Sequence, residues 1–308
     1  MEVSFAHEVK TELCAIRPER ACCLRAALYG LLLFARSFAP GPGGIALQTE
    51  HDGVAAFAAD ALKSLYGVAP LTRLGAHAAG RAPRLLSVES AADVARIRDD
   101  FGCGDRALAL RINRAVIEDE CCAHSFLRGV FLSCGSVVDP EKDYHLEFVS
   151  PHLPLGRDLI AFLRELGFGP KITRRKGNGI IYFKESEQIE DLLTYMGAAR
   201  QSLELMNVKV YKDLRNKVNR VTNCETANID KTVAASAAQV EAIRRIYTLR
   251  GPEFLPEELR ELAALRLENP EMSLRELGER LRVRISRSGV NHRLRKIVEI
   301  AQKLGPGA

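Results

Sequence analysis

The 308-residue chain has no apolar run long enough to cross a bilayer: the longest, from Ala26 to Ala35, is about half of the ~20 residues a spanning helix needs. Its first residues, Met1-Glu2-Val3-Ser4-Phe5-Ala6-His7-Glu8, lack the basic start and apolar stretch of a secretory signal. A cytoplasmic protein without membrane contact is expected. Glycine-rich phosphate loops are missing too, since neither G-x-x-x-x-G-K-Ser/Thr nor G-x-G-x-x-G occurs. The seven histidines are scattered and form no catalytic constellation, so neither an enzyme nor a cofactor is expected. Eight cysteines are present, among them the adjacent pairs Cys22-Cys23 and Cys121-Cys122, but no quartet has the C-x2-4-C spacing of a zinc site, and vicinal thiols make poor chelators. A reducing cytosol argues against a disulfide framework. No metal is expected, and the thiols are read as small packing groups.

Apolar residues make up 47% of the chain, enough for a sizeable core, and the length suggests two domains. A net charge of +5 leans toward a polyanionic partner, which only the distribution of charge can decide. The first two thirds contain an internal repeat. The segment from Cys22 to Ser37 aligns with Cys121 to Ser136, with Cys-Cys, Leu, Gly, Leu and Ser in the same columns. Further on, Leu62-Lys63-Ser64-Leu65 answers Leu163-Arg164-Glu165-Leu166, and Leu71-Thr72-Arg73 answers Ile172-Thr173-Arg174. Two matches in the same order indicate a duplication whose unit is too long for a solenoid.

Each half opens with a helix that is apolar almost all round, Cys22 to Arg36 and Cys121 to Cys134, and such helices are buried. A glycine inside each, Gly30 and Gly129, costs about 1 kcal/mol against alanine. Close approach of two crossing helices supplies a reason for it. Strands then alternate with amphipathic helices (Gly44 to Thr49, Val54 to Tyr66, Leu85 to Val88, Ala91 to Phe101; Tyr144 to Val149, Leu155 to Leu166, Lys171 to Thr173, Gly179 to Phe183, Ser186 to Met196), giving a duplicated αββαββα order. From Arg200 to Lys231 the chain is polar and asparagine-rich and reads as a connection. Beyond it, Thr232 to Tyr247, Pro256 to Leu267, Ser273 to Leu281 and Gly289 to Leu304 read as four helices.

Charge is segregated in that last region: glutamates prevail from Glu253 to Glu279, whereas from Arg280 to Lys303 the only acid is Glu299. In the final helix Val290, Leu294, Ile297 and Ala301 keep the 3.6 period and must face inward. Arg287, Asn291 and Arg295 are thereby turned outward, with Ser288 and His292 beside them. Arginine and asparagine are the side chains that pair bidentately with guanine and adenine, while serine hydroxyls and backbone N–H groups at a helix start hold phosphate. Ser273 opens the preceding helix with a capping box. Two short helices joined by a turn make a helix-turn-helix. Its expected DNA-contacting set is Ser273, Arg282, Arg284, Ser286, Arg287, Ser288, Gly289, Asn291, His292, Arg293, Arg295 and Lys296. The turn, Arg282-Val283-Arg284-Ile285, lacks the glycine that often marks the motif. A second basic surface is expected from Lys171, Arg174, Arg175, Lys176 and Lys184 around a hairpin, extended by Arg215, Lys217 and Arg220, and suited to a phosphate backbone. The same charges also suit a guarded edge strand.

The paired glycine-bearing helices, each leading into ββαββα, resemble the duplicated LAGLIDADG homing-endonuclease fold, and Leu127 to Gly135 can be laid directly on that motif. The resemblance implies an acid near the end of each motif to hold a divalent metal. Here those positions carry Ala35 and Cys134, and hard cations need oxygen ligands, so hydrolysis is disfavoured. With the C-terminal helix-turn-helix, the chain is similar to the WhiA family of bacterial sporulation and cell-division regulators. Its blocks include Val9-Lys10-Thr11-Glu12-Leu13, Tyr144-His145-Leu146-Glu147, Arg215 to Arg220, Asn223-Cys224-Glu225-Thr226-Ala227-Asn228 and Ser286 to Lys296. The resemblance implies an α+β fold, with LAGLIDADG-like repeats over 1–112 and 113–200, a polar connection over 201–231 and a helix-turn-helix domain over 232–308. It further implies a nucleoid-associated transcription regulator of cell division, chromosome segregation or differentiation genes, bound to double-stranded DNA. Two alternatives stay open: a residual nuclease, and an interaction module that docks RNA polymerase or another transcription regulator.

Overall fold

The computed structural model describes residues 3–35, 38, 44–75, 82–103 and 109–304, which divide into two compact units, Met1–Lys212 and Asp213–Ala308. The first unit opens with α1 (Phe5–Ala15), which the sequence reading did not assign; the Ser4 hydroxyl caps it by accepting from the His7 N–H. The first repeat then runs α2 (Ala21–Leu33), β1 (Ile45–Thr49), α3 (Asp52–Tyr66), β2 (Leu71–Leu74), β3 (Arg84–Val88) and α4 (Ala91–Asp100). The second runs α5 (Glu120–Cys134), β4 (Gly135–Val137), β5 (Leu146–Ser150), α6 (Leu153–Glu165), β6 (Lys171–Arg175), β7 (Asn178–Phe183) and α7 (Ser186–Met196). The second repeat has the expected αββαββα order. The first repeat shows three strands among the described residues, because the positions matching β4, 36–38, fall largely outside them. Arg36, expected to end the first helix, is also outside; α2 stops at Leu33.

The two antiparallel sheets carry the duplication in their topology: β1-β3-β2 in one and β4-β5-β7-β6 in the other, so β1, β3 and β2 occupy the places of β5, β7 and β6. Between them α2 and α5 cross in direct contact. A Cβ at Gly30 would fall on the Phe126 carbonyl oxygen, and one at Gly129 on that of Ala27, which is why both helices tolerate a residue that disfavours helix. Leu28, Leu31, Phe126, Val130 and Phe131 are fully buried around the crossing, and each such side chain contributes roughly 1.5–3 kcal/mol on leaving water.

A single helix, α8 (Ala199–Arg250), runs from the first unit into the second. The stretch 201–231, read as a polar connection, is therefore helical. The second unit's core joins Ile243 and Ile246 of α8 to Leu259 and Leu262 of α9 (Glu257–Glu268), Leu277 of α10 (Leu274–Arg280) and Val290, Leu294 and Ile297 of α11 (Arg287–Lys303). No helix among the described residues is long and apolar enough to cross a membrane.

Candidate nucleic-acid interface

The α10–turn–α11 geometry is built from local signals. Ser273 and Glu276 form the reciprocal capping box at the start of α10, at 2.9 and 3.3 Å, and the Ser286 hydroxyl caps α11 by accepting from Gly289 N–H at 3.2 Å. Ser273 and Ser286, two of the three serines in the expected contact set, thus hold their own helices. The glycine missing from the turn has its counterpart one turn earlier: a Cβ on Gly278 of α10 would fall on the Ile285 carbonyl oxygen, and Ile285 N–H donates back to the Gly278 carbonyl at 3.3 Å. Arg266, buried on α9, ties down the α9–α10 loop by donating to the carbonyls of Pro270 (3.2 Å) and Met272 (2.7 Å). Sequence reasoning missed both residues; a glycine inside a short helix was the available signal for the first.

On α11, Val290, Leu294, Ile297 and Ala301 are the buried residues, as their spacing required. Arg287, Ser288, Asn291, His292 and Arg295 are exposed, and Gly289 is half-buried at the helix start. Among the described residues, no hydrogen bond or ion pair engages the side chains of Arg287, Asn291 or Arg295. Arg293 and Lys296 differ. Arg293 donates to the Glu258 carbonyl at 3.2 Å and the Lys296 ammonium pairs with the Glu258 carboxylate at 3.1 Å, a contact that lowers that carboxyl's pKa. These two cations seat α11 on α9. Arg282 and Arg284 are exposed on the turn, with the Arg282 backbone N–H donating to Glu261 at 2.8 Å.

In the first unit, β6 is an edge strand exposed along its whole length, and Lys176-Gly177, both at positive φ, turn it into β7. Arg174, Arg175 and Lys176 are exposed there; Lys171 pairs with Glu185 at 3.7 Å, and Lys184 lies over the Tyr182 ring at 6.0 Å. Arg215, Lys217 and Arg220, read as extending this patch, belong to the second unit, on exposed turns of α8.

Where a LAGLIDADG nuclease would hold metal, the structure places Ala35, buried just past the end of α2, and Cys134, the last residue of α5. Burial pushes the Cys134 thiol up to about 12, and the Lys10 ammonium, itself lowered by burial, lies close enough to act on it. Lys10 donates to the Leu132 carbonyl at 3.2 Å. A neutral thiol beside a cation offers nothing to magnesium. At the opposite end of the same helix pair, Cys22, Cys23, Cys121 and Cys122 bring their sulfurs within 4.8 Å of one another. The spacing argument against a metal considered each segment alone; the helix crossing assembles the quartet it found missing.

The sequence matches the description "WhiA LAGLIDADG-like domain" over residues 123–215 and "WhiA C-terminal HTH domain" over 218–301. It is 39% identical over 312 residues to "Probable cell division protein WhiA" of Thermoanaerobacter pseudethanolicus, covering 98% of each chain. The protein of the same name in Alkaliphilus metalliredigens is 37% identical over 311 residues, again with 98% of each chain covered. Among solved structures, full-length DUF199/WhiA from Thermatoga maritima superposes with a TM-score of 0.59 at 24% identity, over 99% of this chain and 100% of that one. The N-terminal LAGLIDADG domain of DUF199/WhiA gives 0.52 at 18% identity, over 64% and 92%. At these identities the structures speak to the fold: the full-length one shares the LAGLIDADG-like α+β domain followed by a helical helix-turn-helix domain, and the second shares the first of these domains.

Proposed function

The chain belongs to the WhiA family, and from that premise we propose that it is a sequence-specific, non-catalytic DNA-binding regulator of transcription, acting on genes of cell division, chromosome segregation or differentiation. The observation that carries this reading is the α11 face. Its apolar stripe is fully used in the core, which leaves Arg287, Asn291 and Arg295 in a row one helical turn apart, exposed and without a partner among the described residues. A row of guanine- and adenine-pairing side chains at the start of the second helix of a helix-turn-helix is suited to base edges in the major groove. Arg282 and Arg284 on the turn, and the Lys171–Lys184 hairpin, are suited to phosphates. Arg293 and Lys296 serve mainly to seat the reading helix. The non-catalytic part rests on Ala35, Cys134 and Lys10 at the old metal site.

Binding isotherms on cognate and scrambled duplexes at several salt concentrations test both parts. Arg287→Ala and Asn291→Ala should weaken cognate binding by about 1–3 kcal/mol and scrambled binding far less. Arg282→Ala and Arg284→Ala should weaken both and flatten the salt dependence. Duplexes incubated with protein and magnesium or manganese should stay uncut. Equal losses on both duplexes for all four variants would reduce α11 to a non-specific anchor, and cleavage that vanished on mutating the first unit would make the protein a nuclease.

A further inference from the structure

We propose that Cys22, Cys23, Cys121 and Cys122 form a structural site for one tetrahedral zinc ion, which joins the two repeats at the head of the α2/α5 crossing. The inference is independent of the DNA-binding reading. Each repeat supplies one adjacent pair, at the second and third positions of its helix, so two pairs that are useless as chelators within their own segments converge once the helices cross. All four sulfurs lie within 4.8 Å of one another. Zinc–sulfur bonds of about 2.3 Å in a regular tetrahedron set the sulfurs roughly 3.8 Å apart, so closing onto an ion needs only small rotamer adjustments. Iron–sulfur clusters spread their ligands over several irons and need wider spacing, whereas magnesium and calcium want oxygen.

The surroundings suit the charge. Zinc replaces four thiol protons, which pass to solvent, and leaves a site of net charge −2. The positive ends of both helix dipoles point at it. The Arg20 guanidinium donates to the Cys121 sulfur at 3.2 Å, and the buried Arg128 lines the same shallow cavity as Cys23 and Cys121. Cys23 and Cys122 are buried while Cys22 and Cys121 are half-buried, so the ion would be shielded yet have an entry path.

The test uses the full-length protein purified without added metal. Elemental analysis should find one zinc per chain. After removal of that zinc, cobalt(II) should give the intense visible d–d bands and sulfur-to-metal charge-transfer band of a tetrahedral thiolate site, abolished by one equivalent of zinc. Cys22→Ser with Cys121→Ser, which spares the buried pair, should lose the metal, whereas Cys224→Ser, on the exposed part of α8, should keep it. A chelator should lower the thermal midpoint of the wild type and leave the double variant unmoved. A wild type that carries no zinc and gives only the weak spectrum of octahedral cobalt overturns the proposal, whether or not the variant folds. So does a folded double variant with the wild-type metal content.

Discussion

His51 shows how one buried side chain sets a pH response. Its Nδ1 accepts from the Val54 N–H at 3.3 Å and caps α3, while Nε2 lies 3.1 Å from both the His7 carbonyl and the Thr11 hydroxyl, which itself donates to that carbonyl. With Nδ1 accepting, the proton sits on Nε2, and a second proton would abolish the cap. Burial, first of all, lowers the His51 pKa, with the nearby His7 and Lys10 acting the same way against the His7 carbonyl and Asp52. A lowered histidine pKa means the unfolded chain binds the proton more readily. The His51 contribution is therefore complete above the unfolded pKa of about 6.5 and is lost as pH falls through the lower folded value. Urea midpoints of the first unit should drop as pH falls below the unfolded value of about 6.5, and those of His51→Asn, which keeps a capping side chain but cannot titrate, should drop less. Parallel curves for the two proteins would remove His51 as the cause. At this scale the α11 face was legible, because Val290, Leu294, Ile297 and Ala301 fix the helix's rotation by spacing alone. The cysteine quartet was less so. The repeat alignment had put both pairs in the same columns, but ligand-spacing rules run along one segment, and only the crossing at Gly30 and Gly129 turns two pairs into a tetrad.

Among the elements, those with an apolar period were readable and those without were not. Helices α3, α6 and α7 and strands β1, β5 and β7 lie where hydrophobic spacing put them. The exposed edge strand β2 and the three-residue β4 have no such pattern. Helix α8 is the instructive case. From 213 to 235 every residue is exposed, and Leu214, Val218, Val221, Ile229 and Val233 lie among them, so no buried stripe announces a helix. Its signal is negative: no glycine or proline occurs between Gly197 and Gly251, and both of these take positive φ. A helix without tertiary support is marginal in water, since packing of one face supplies most helical stability in proteins. Amides of 213–235 should accordingly exchange with solvent orders of magnitude faster than those of α5 or of the Ala242–Ile246 turn, which is anchored in the second core. Protection over 213–235 equal to that of α5 would mean that this stretch packs on something the isolated chain does not provide.

For the molecule as a whole, two cores imply two separable jobs. The first core runs from Phe5 to Leu205 and the second from Ala242 to Ala301, with the exposed stretch of α8 between them. Removing residues 256–308 takes away α9, α10 and α11 and strips the partners from Ile243 and Ile246, but touches no member of the first core. That fragment should unfold cooperatively with the thermal midpoint of the first unit in the full chain. Because α11 is gone, it should no longer distinguish cognate from scrambled duplex. It should retain weak binding that fades steeply with salt, carried by Arg174, Arg175 and Lys176 on the exposed hairpin. Calorimetry and gel shifts on the same preparation separate the outcomes. A fragment that stays folded and keeps full specificity would move sequence readout to the hairpin and leave α11 as an anchor. A fragment that fails to fold would show that the duplicated core, for all its burial, depends on the helical unit it precedes.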